Sequence, residues 1–120
     1  MTTEEIKTFM PQLMVDVEEC PVIRTLELLN GRWTAQVIYQ LEKYETIRFG
    51  ELKKQLQGIT NTMLSNTLKN LEEKSIIKRI QYDEMPVRVE YSLTEMGGEM
   101  LPIFYEMSLW GTKYLKKADD

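Results

Sequence analysis

The segment 49–74 reads FGELKKQLQGITNTMLSNTLKNLEEK and divides into two amphipathic stretches around a glycine. The first stretch has apolar residues at helical spacing, which predicts a two-turn helix. These residues are Phe49, Leu52 and Leu56. Gly58 then suits the centre of a tight turn, and Thr60 has a side chain that is preferred at a helix N-cap. The segment therefore predicts two short helices joined by a glycine-containing turn.

The second helix is predicted over about 61–74, with an apolar stripe of Leu64, Leu68 and Leu71. Its other face carries short polar side chains and one lysine. They are Asn61, Thr62, Ser65, Asn66, Lys69 and Asn70. Exposed helix faces are usually built from Glu and Lys, whereas Thr, Ser and Asn are poor helix formers. Their hydroxyl and amide groups can hydrogen-bond base edges, and Lys69 can reach a phosphate or a guanine.

A β-hairpin is predicted directly after this helix. Residues 76–82 are rich in β-branched side chains, 87–93 alternate between apolar and polar, and 83–86 form the loop. The β-branched Thr46-Ile47-Arg48 predicts a further short strand before the first helix of the pair. This order predicts a winged helix-turn-helix, a mainly α-helical fold with a small β-hairpin wing.

Further helices are expected on the N-terminal side. Residues 1–19 have helical apolar spacing (Ile6, Phe9, Met10, Leu13, Met14 and Val17), with a break or a late start expected at Pro11. Cys20-Pro21 suits the start of a helix over 22–29, which Asn30-Gly31 ends. A third helix is expected over 33–41.

A single long helix is predicted from about Glu95 to Lys117, with Thr94 as its N-cap. Its apolar residues occupy more than one face, and this is more apolar surface than a small domain can cover. We therefore expect part of this helix to contact a partner chain.

Charge is unevenly distributed along the chain. The net charge is −4, yet residues 48–88 hold eight Lys and Arg against five Asp and Glu, and the remainder holds seven against fourteen. The basic middle segment hints at contact with phosphate, although ordinary surface scatter is an alternative. Arg79 and Arg88 flank the hairpin tip, where either can contact DNA or pair with a nearby carboxylate. The outward position of Arg88 favours DNA, while the two readings of Arg79 stay open.

Composition limits which other classes of protein the chain can belong to. A chain of 120 residues predicts one domain, and no apolar run approaches the ~18 residues of a membrane span. The acidic N-terminus does not resemble a signal peptide, so a cytoplasmic protein with no membrane partner is expected. With one cysteine and no histidine, a metal cage and a histidine-dependent catalytic site are not expected. No glycine-rich phosphate loop is apparent either, so neither an enzyme nor a cofactor is predicted.

Six fragments, in this order and spacing, resemble the HxlR-type branch of the MarR-like winged-helix transcription regulators. They are Cys20-Pro21-Val22, Gly31-Arg32-Trp33, Arg48-Phe49-Gly50-Glu51-Leu52, Gly58-Ile59-Thr60, Leu68-Lys69-Asn70-Leu71-Glu72 and Pro86-Val87-Arg88-Val89-Glu90-Tyr91-Ser92-Leu93-Thr94. The resemblance covers about residues 20–111. It implies a dimeric bacterial regulator that binds double-stranded DNA at a pseudo-palindromic operator, with the helix after the glycine turn in the major groove.

The resemblance assigns residues 60–70 as the recognition element and Arg88 as the wing contact, and Arg48 lies just before the first helix of the pair, where the DNA backbone would pass. The predicted DNA-binding residues are Arg32, Arg48, Thr60, Asn61, Thr62, Ser65, Asn66, Lys69 and Arg88. The predicted homodimer interface lies in 6–17 and 95–115, with Phe9, Leu13, Leu101, Phe104, Leu109, Trp110 and Tyr114 as candidates. Within a single domain 1–120, this gives an N-terminal arm or helix (1–19), a winged-helix core (20–93) and a C-terminal dimerisation helix (94–120).

Three alternatives stay open. Some members of the resembled family sense oxidants through a cysteine at the position of Cys20. A helix N-terminus would favour its thiolate, and Glu18 and Glu19 would oppose it. The protein is alternatively a sensor of a small-molecule effector that the sequence does not name. It is alternatively a protein-interaction module that has lost DNA binding, as the net negative charge suggests.

Overall fold

The computed structural model describes residues 1–14 and 19–115. Their helices are α1 (Thr3–Leu13), α2 (Pro21–Leu28), α3 (Thr34–Lys43), α4 (Phe49–Gln55), α5 (Asn61–Glu73), α6 (Glu95–Gly98) and α7 (Leu101–Tyr114). Their strands are β1 (Ile77–Tyr82) and β2 (Arg88–Leu93), which pair as an antiparallel hairpin. The predicted fold class, mainly α-helical with a small β-hairpin wing after a helix-turn-helix, is confirmed.

The chain forms two compact units, Met1–Gly31 and Arg32–Asp120. The first contains α1 and α2, and the second contains all the remaining elements. The division of one domain into 1–19, 20–93 and 94–120 stays a prediction. Among the described residues, no helix combines the length and the apolar character needed to cross a membrane.

Helix α1 starts at Thr3 and passes through Pro11, so both the break and the late start predicted at that proline are wrong. A capping box starts the helix, because the Thr2 hydroxyl accepts from the Glu5 N–H while the Glu5 carboxylate accepts from the Thr2 N–H. Pro11 lies two residues before the last helical residue, so the backbone hydrogen bond that it removes belongs to the final turn. Val17 of the predicted apolar stripe lies outside the described residues.

Helix α2 confirms the predicted start and stop signals. Pro21 occupies the first turn, where its missing N–H removes no helical hydrogen bond. Cys20 is the N-cap residue and has extended backbone angles. Gly31 has a φ of 111°, a conformation that favours glycine at the turn after a helix.

The core of the second unit lies among α3, α4, α5 and the hairpin. Its buried apolar side chains are Val37, Ile38, Leu41, Ile47, Leu52, Leu56, Ile59, Leu64, Leu68, Leu71, Ile76, Ile77 and Met100. The predicted strand at 46–48 forms a single bridge, in which Ile47 and Tyr91 exchange backbone hydrogen bonds of 2.9 and 2.8 Å. This bridge attaches the segment before α4 to the wing.

A tight turn links α5 to β1 and sets the direction of the hairpin. Ser75 has a φ of 63°, and the Ile76 N–H reaches the Leu71 carbonyl at 3.0 Å, as in a Schellman motif. The Thr94 hydroxyl donates to the Ser75 carbonyl at 2.6 Å and accepts from the Gly97 N–H at 3.1 Å. Thr94 therefore joins the end of β2 to the start of β1, and it is the N-cap residue predicted from the sequence.

The single helix predicted over 95–117 is wrong, because α6 ends at Gly98 and α7 begins at Leu101. Pro102 has no N–H to donate to the Gly98 carbonyl, so a continuous helix would lack that hydrogen bond. The neighbouring Gly97 also fixes α6 against the sheet, since a Cβ there would meet the Ile76 carbonyl oxygen. Residues 116 and 117 of the predicted helix lie outside the described part.

We predict that Gly97→Ala lowers the free energy of unfolding by about 1–3 kcal/mol, the usual range for overpacking. The added methyl group would meet backbone, which cannot yield as a flexible side chain does. Gly50→Ala is the matched control, because a Cβ at Gly50 in α4 meets nothing within 4 Å. It should raise the same free energy by up to about 1 kcal/mol through helix propensity. Urea unfolding of both variants tests this, and equal stabilities would contradict the packing of α6.

Candidate DNA-binding surface

Helix α5 has one buried face and one exposed polar face. Leu64, Leu68 and Leu71 have at most 2% of their surface exposed, which fixes the rotation of the helix about its axis. The predicted reading residues of this helix are all exposed. They are Asn61, Thr62, Ser65, Asn66 and Lys69. The sequence pattern therefore identified correctly which side of α5 faces outward.

The start of α5 is held by its N-cap and by the glycine turn. The Thr60 hydroxyl accepts a hydrogen bond from the Met63 N–H at 3.1 Å. Gly58 has a φ of 91°, and the neighbouring Ile59 side chain is buried. The first turn of α5, which carries Asn61 and Thr62, is therefore positioned by local hydrogen bonding and by a buried anchor.

A cleft of about 350 Å³ separates α5 from the wing; we call it the helix–wing cleft. Its polar lining comes from both elements: Ser65, Lys69 and Glu72 of α5, Arg79 of β1 and Tyr91 of β2. Sequence patterns left the role of Arg79 open and did not single out Tyr91. Strand alternation carries a usable signal, because Arg79 shares a hairpin face with the buried Ile77, two residues earlier.

Arg88 is engaged within the wing. Its Nη2 lies 3.3 Å from a carboxylate oxygen of Glu84, and its guanidinium lies 4.1 Å from the centre of the Tyr82 ring. The side chain is 31% exposed. The carboxylate pairing considered from the sequence is therefore present, and any DNA contact by Arg88 would share the guanidinium with Glu84.

The two remaining predicted arginines lie outside the helix–wing cleft. Arg48 is the N-cap residue of α4 and lines a separate cavity of about 320 Å³ together with Glu51 and Glu90. Arg32 is exposed before α3, with its guanidinium 5.3 Å from the centre of the Trp33 ring.

The predicted interface residues expose much of their apolar surface. Phe9 and Leu13 of α1 are 48% and 51% exposed, and Trp110 of α7 is 58% exposed. The other four belong to α7, and none of them is buried: Leu101, Phe104, Leu109 and Tyr114. Helices α3 and α7 also border an apolar groove of about 490 Å³, which is lined by Tyr39, Leu101 and Phe104 among others.

Cys20 is buried, with 2% of its surface exposed. As the N-cap residue of α2 it makes no side-chain capping hydrogen bond. In the part of the chain that the structure describes, no group of three Asp, Glu, Cys or His side chains is arranged to hold a metal ion.

Comparison with known proteins identifies the family. Residues 28–119 match the family model described as HxlR-like helix-turn-helix. An uncharacterized HTH-type transcriptional regulator of Halalkalibacterium halodurans, BH0655, is 43% identical over 98 residues, which cover 82% of this chain and 87% of the relative.

Solved structures agree with this match. A transcriptional regulator described as a MarR-family member, from Porphyromonas gingivalis W83, is 45% identical with a TM-score of 0.75, over 82% of this chain and 95% of that one. The redox regulator HypR in its oxidized form is 36% identical with a TM-score of 0.72, over 82% of this chain and 100% of that one. The chain accordingly belongs to the HxlR-like helix-turn-helix family of transcriptional regulators.

Proposed function

We propose that the protein is a sequence-specific transcriptional regulator that binds double-stranded DNA as a homodimer. In this proposal α5 enters the major groove of each half of a pseudo-palindromic operator, and the wing lies near the minor groove. The exposed Asn, Thr and Ser face of α5, fixed in direction by its buried leucine stripe, is the observation that carries the proposal. A protein with this role would act in the cytoplasm.

The chemistry of this face suits base reading. Asn66 lies on the side of α5 opposite to the leucine stripe, and an asparagine amide can make two hydrogen bonds to adenine. Thr62 and Ser65 carry short hydroxyl side chains that can donate or accept a hydrogen bond. These groups add no charge, so they favour discrimination between sequences rather than general attraction to phosphate.

The exposed apolar surface supports the homodimer. Helix α7 contains no buried residue, and the large side chains of Trp110 and Tyr114 are each 58% exposed. Exposed apolar surface of this extent marks an interaction site in a globular protein. A second copy of the chain, packed on α1 and α7, would cover it and would place two α5 helices about one turn of duplex apart, roughly 34 Å.

In this proposal the wing contributes less to DNA binding than α5 does. Because Glu84 already shares the Arg88 guanidinium, a DNA phosphate would have to compete with that carboxylate. Arg88 therefore contributes less free energy to binding than an unpaired arginine would. We keep it as a DNA contact near the wing tip.

The proposal is tested by titrating the reduced protein against the intergenic DNA beside its own gene. The titration is run at two salt concentrations with random duplex as competitor. Saturable binding that resists the competitor supports the specific regulator. Binding that the competitor removes at both salt concentrations contradicts specific reading of that DNA and favours the interaction module or a missing effector.

We predict that Asn66→Ala reduces operator affinity more than random-DNA affinity, because it removes a contact to a base edge. A good bidentate contact is worth about 1–3 kcal/mol of discrimination. Asn70→Ala is the matched control, since it removes the same side chain one turn later, away from the N-terminal residues that read bases. Equal losses on both DNAs would show that Asn66 does not read bases.

We predict that Trp110→Ala weakens the dimer by about 2 kcal/mol, roughly 30-fold in its dissociation constant, if Trp110 is a central interface anchor. Tyr44→Ala is the control, because Tyr44 is also an exposed aromatic residue but lies at the end of α3. Sedimentation equilibrium measures both variants. A Trp110→Ala dimer as tight as wild type would place the interface centre elsewhere.

A redox-sensing regulator is the second candidate, and the similarity to HypR, named a redox regulator, favours it. The burial of Cys20 opposes it, because a reactive thiol needs solvent access. If Cys20 is the sensor, Cys20→Ser should abolish any loss of DNA binding under oxidant while leaving binding of the reduced protein unchanged. An oxidant response that persists in this variant would exclude Cys20.

A further inference from the structure

The helix–wing cleft contains two cationic side chains from different elements. Lys69 comes from the exposed face of α5, and Arg79 comes from β1. In the register of the hairpin Arg79 lies opposite Tyr91, and both residues line the cleft. Arg79 and Ile77 share one face of the strand, and Ile77 is buried against the core. The cleft is therefore built by the packing that also positions α5.

Neither cation of the cleft is neutralised by an ion pair. Within residues 1–14 and 19–115, the side chains of Lys69 and Arg79 have no carboxylate oxygen within the 4.0 Å of a salt bridge, whereas Arg88 is paired with Glu84. The Arg79 guanidinium instead donates a hydrogen bond to the Gln81 side-chain oxygen at 3.3 Å. That bond restrains the arginine without removing its charge.

We propose that the helix–wing cleft binds one phosphate group of the DNA backbone, with Arg79 as its principal ligand and Lys69 as a supporting ligand. The proposal rests on the proposed function and adds Arg79 to the DNA-contacting surface. The cleft lies beside the helix proposed to enter the major groove, where the backbone bordering that groove would run.

The side-chain chemistry of the cleft matches a phosphodiester. Arginine presents a planar fork of N–H donors that fits two phosphate oxygens, and lysine adds a point charge. Two cations against the single carboxylate of Glu72 give the lining a net charge of +1, equal and opposite to that of a phosphodiester. Glu72 disfavours a second negative charge, so a dianionic free phosphate fits less well.

The decisive experiment measures the salt dependence of DNA affinity for wild type, Arg79→Ala and Lys78→Ala. Each neutralised phosphate contributes about 0.9 to the slope of log affinity against log salt. Arg79→Ala should lower the slope by about one unit, and it should weaken operator and random DNA by the same factor. Lys78→Ala removes an equal charge from the opposite face of the same strand, so its slope should stay near the wild-type value.

Two further variants refine the test. Arg79→Lys should recover most of the slope but less of the affinity, because a point charge replaces the fork. Glu72→Gln should raise affinity for both DNAs, because it removes the carboxylate from the cleft. If Arg79→Ala and Lys78→Ala change the slope equally, the cleft holds no phosphate and the inference is wrong, while operator binding by wild type would leave the proposed function intact.

A second experiment distinguishes a DNA phosphate from free inorganic phosphate as the ligand of the cleft. Inorganic phosphate replaces chloride at constant ionic strength while the Arg79 side-chain signals are followed by NMR. We expect shifts no larger than those from chloride. Saturable binding of inorganic phosphate that Arg79→Ala abolishes, with an unchanged DNA slope, would overturn the DNA assignment in favour of a free anion. Failure of wild type to bind any duplex would instead overturn the proposed function and with it the DNA source.

Discussion

Three leucines on one side of α5 are buried, and this burial positions the rest of the candidate surface. Leu64, Leu68 and Leu71 pack within the core of the second unit, and replacing such a residue by alanine typically costs 2–5 kcal/mol. This burial sets both the rotation of α5 and the direction in which its polar residues face. A helix free to rotate about its axis could not hold short Asn, Thr and Ser side chains at fixed positions against a groove.

The polar residues on the exposed face of α5 lower the stability of the helix. Hydrogen bonds at the two ends of the helix offset part of this loss. Thr, Ser and Asn have lower helix propensity than the Glu and Lys of ordinary exposed faces. The Thr60 N-cap satisfies one unpaired N–H at the start, and the turn at Ser75 satisfies carbonyls at the end. Thr94 then hydrogen-bonds the Ser75 carbonyl, which holds the end of β2 beside that turn.

Local signals predicted most of the fold. The glycine turn at Gly58, the cap at Thr60 and the leucine spacing each act within a few residues, so they can be read from sequence. The predictions of a break at Pro11 and of a continuous helix through Gly98 are wrong. Both outcomes depend on which helical hydrogen bond a proline removes. Pro11 removes one in the last turn of α1, whereas Pro102 removes one at the junction between α6 and α7.

The candidate site was less predictable than the fold. Exposure along α5 follows from helical periodicity, so the outward-facing residues of this helix could be predicted from the sequence. The environments of Arg79 and Arg88 depend on tertiary contacts, which cannot be predicted from the spacing of residues in the sequence. Both arginines lie on the hairpin, yet Arg88 is stacked on Tyr82 and paired with Glu84 while Arg79 lines a cleft against another element. The sequence favours Arg88 as the DNA contact. In the structure, however, Arg88 forms an ion pair with Glu84, whereas Arg79 forms none within the described residues.

In the proposed complex, two copies of α5 read the major groove of one operator. Methylation interference on the bound operator tests it most directly, because methylation of guanine N7 blocks contacts from the major groove. We expect two clusters of interfering guanines about 10 base pairs apart, related by the symmetry of the site. Specific binding that tolerates N7 methylation throughout the site, or a single cluster, would contradict it.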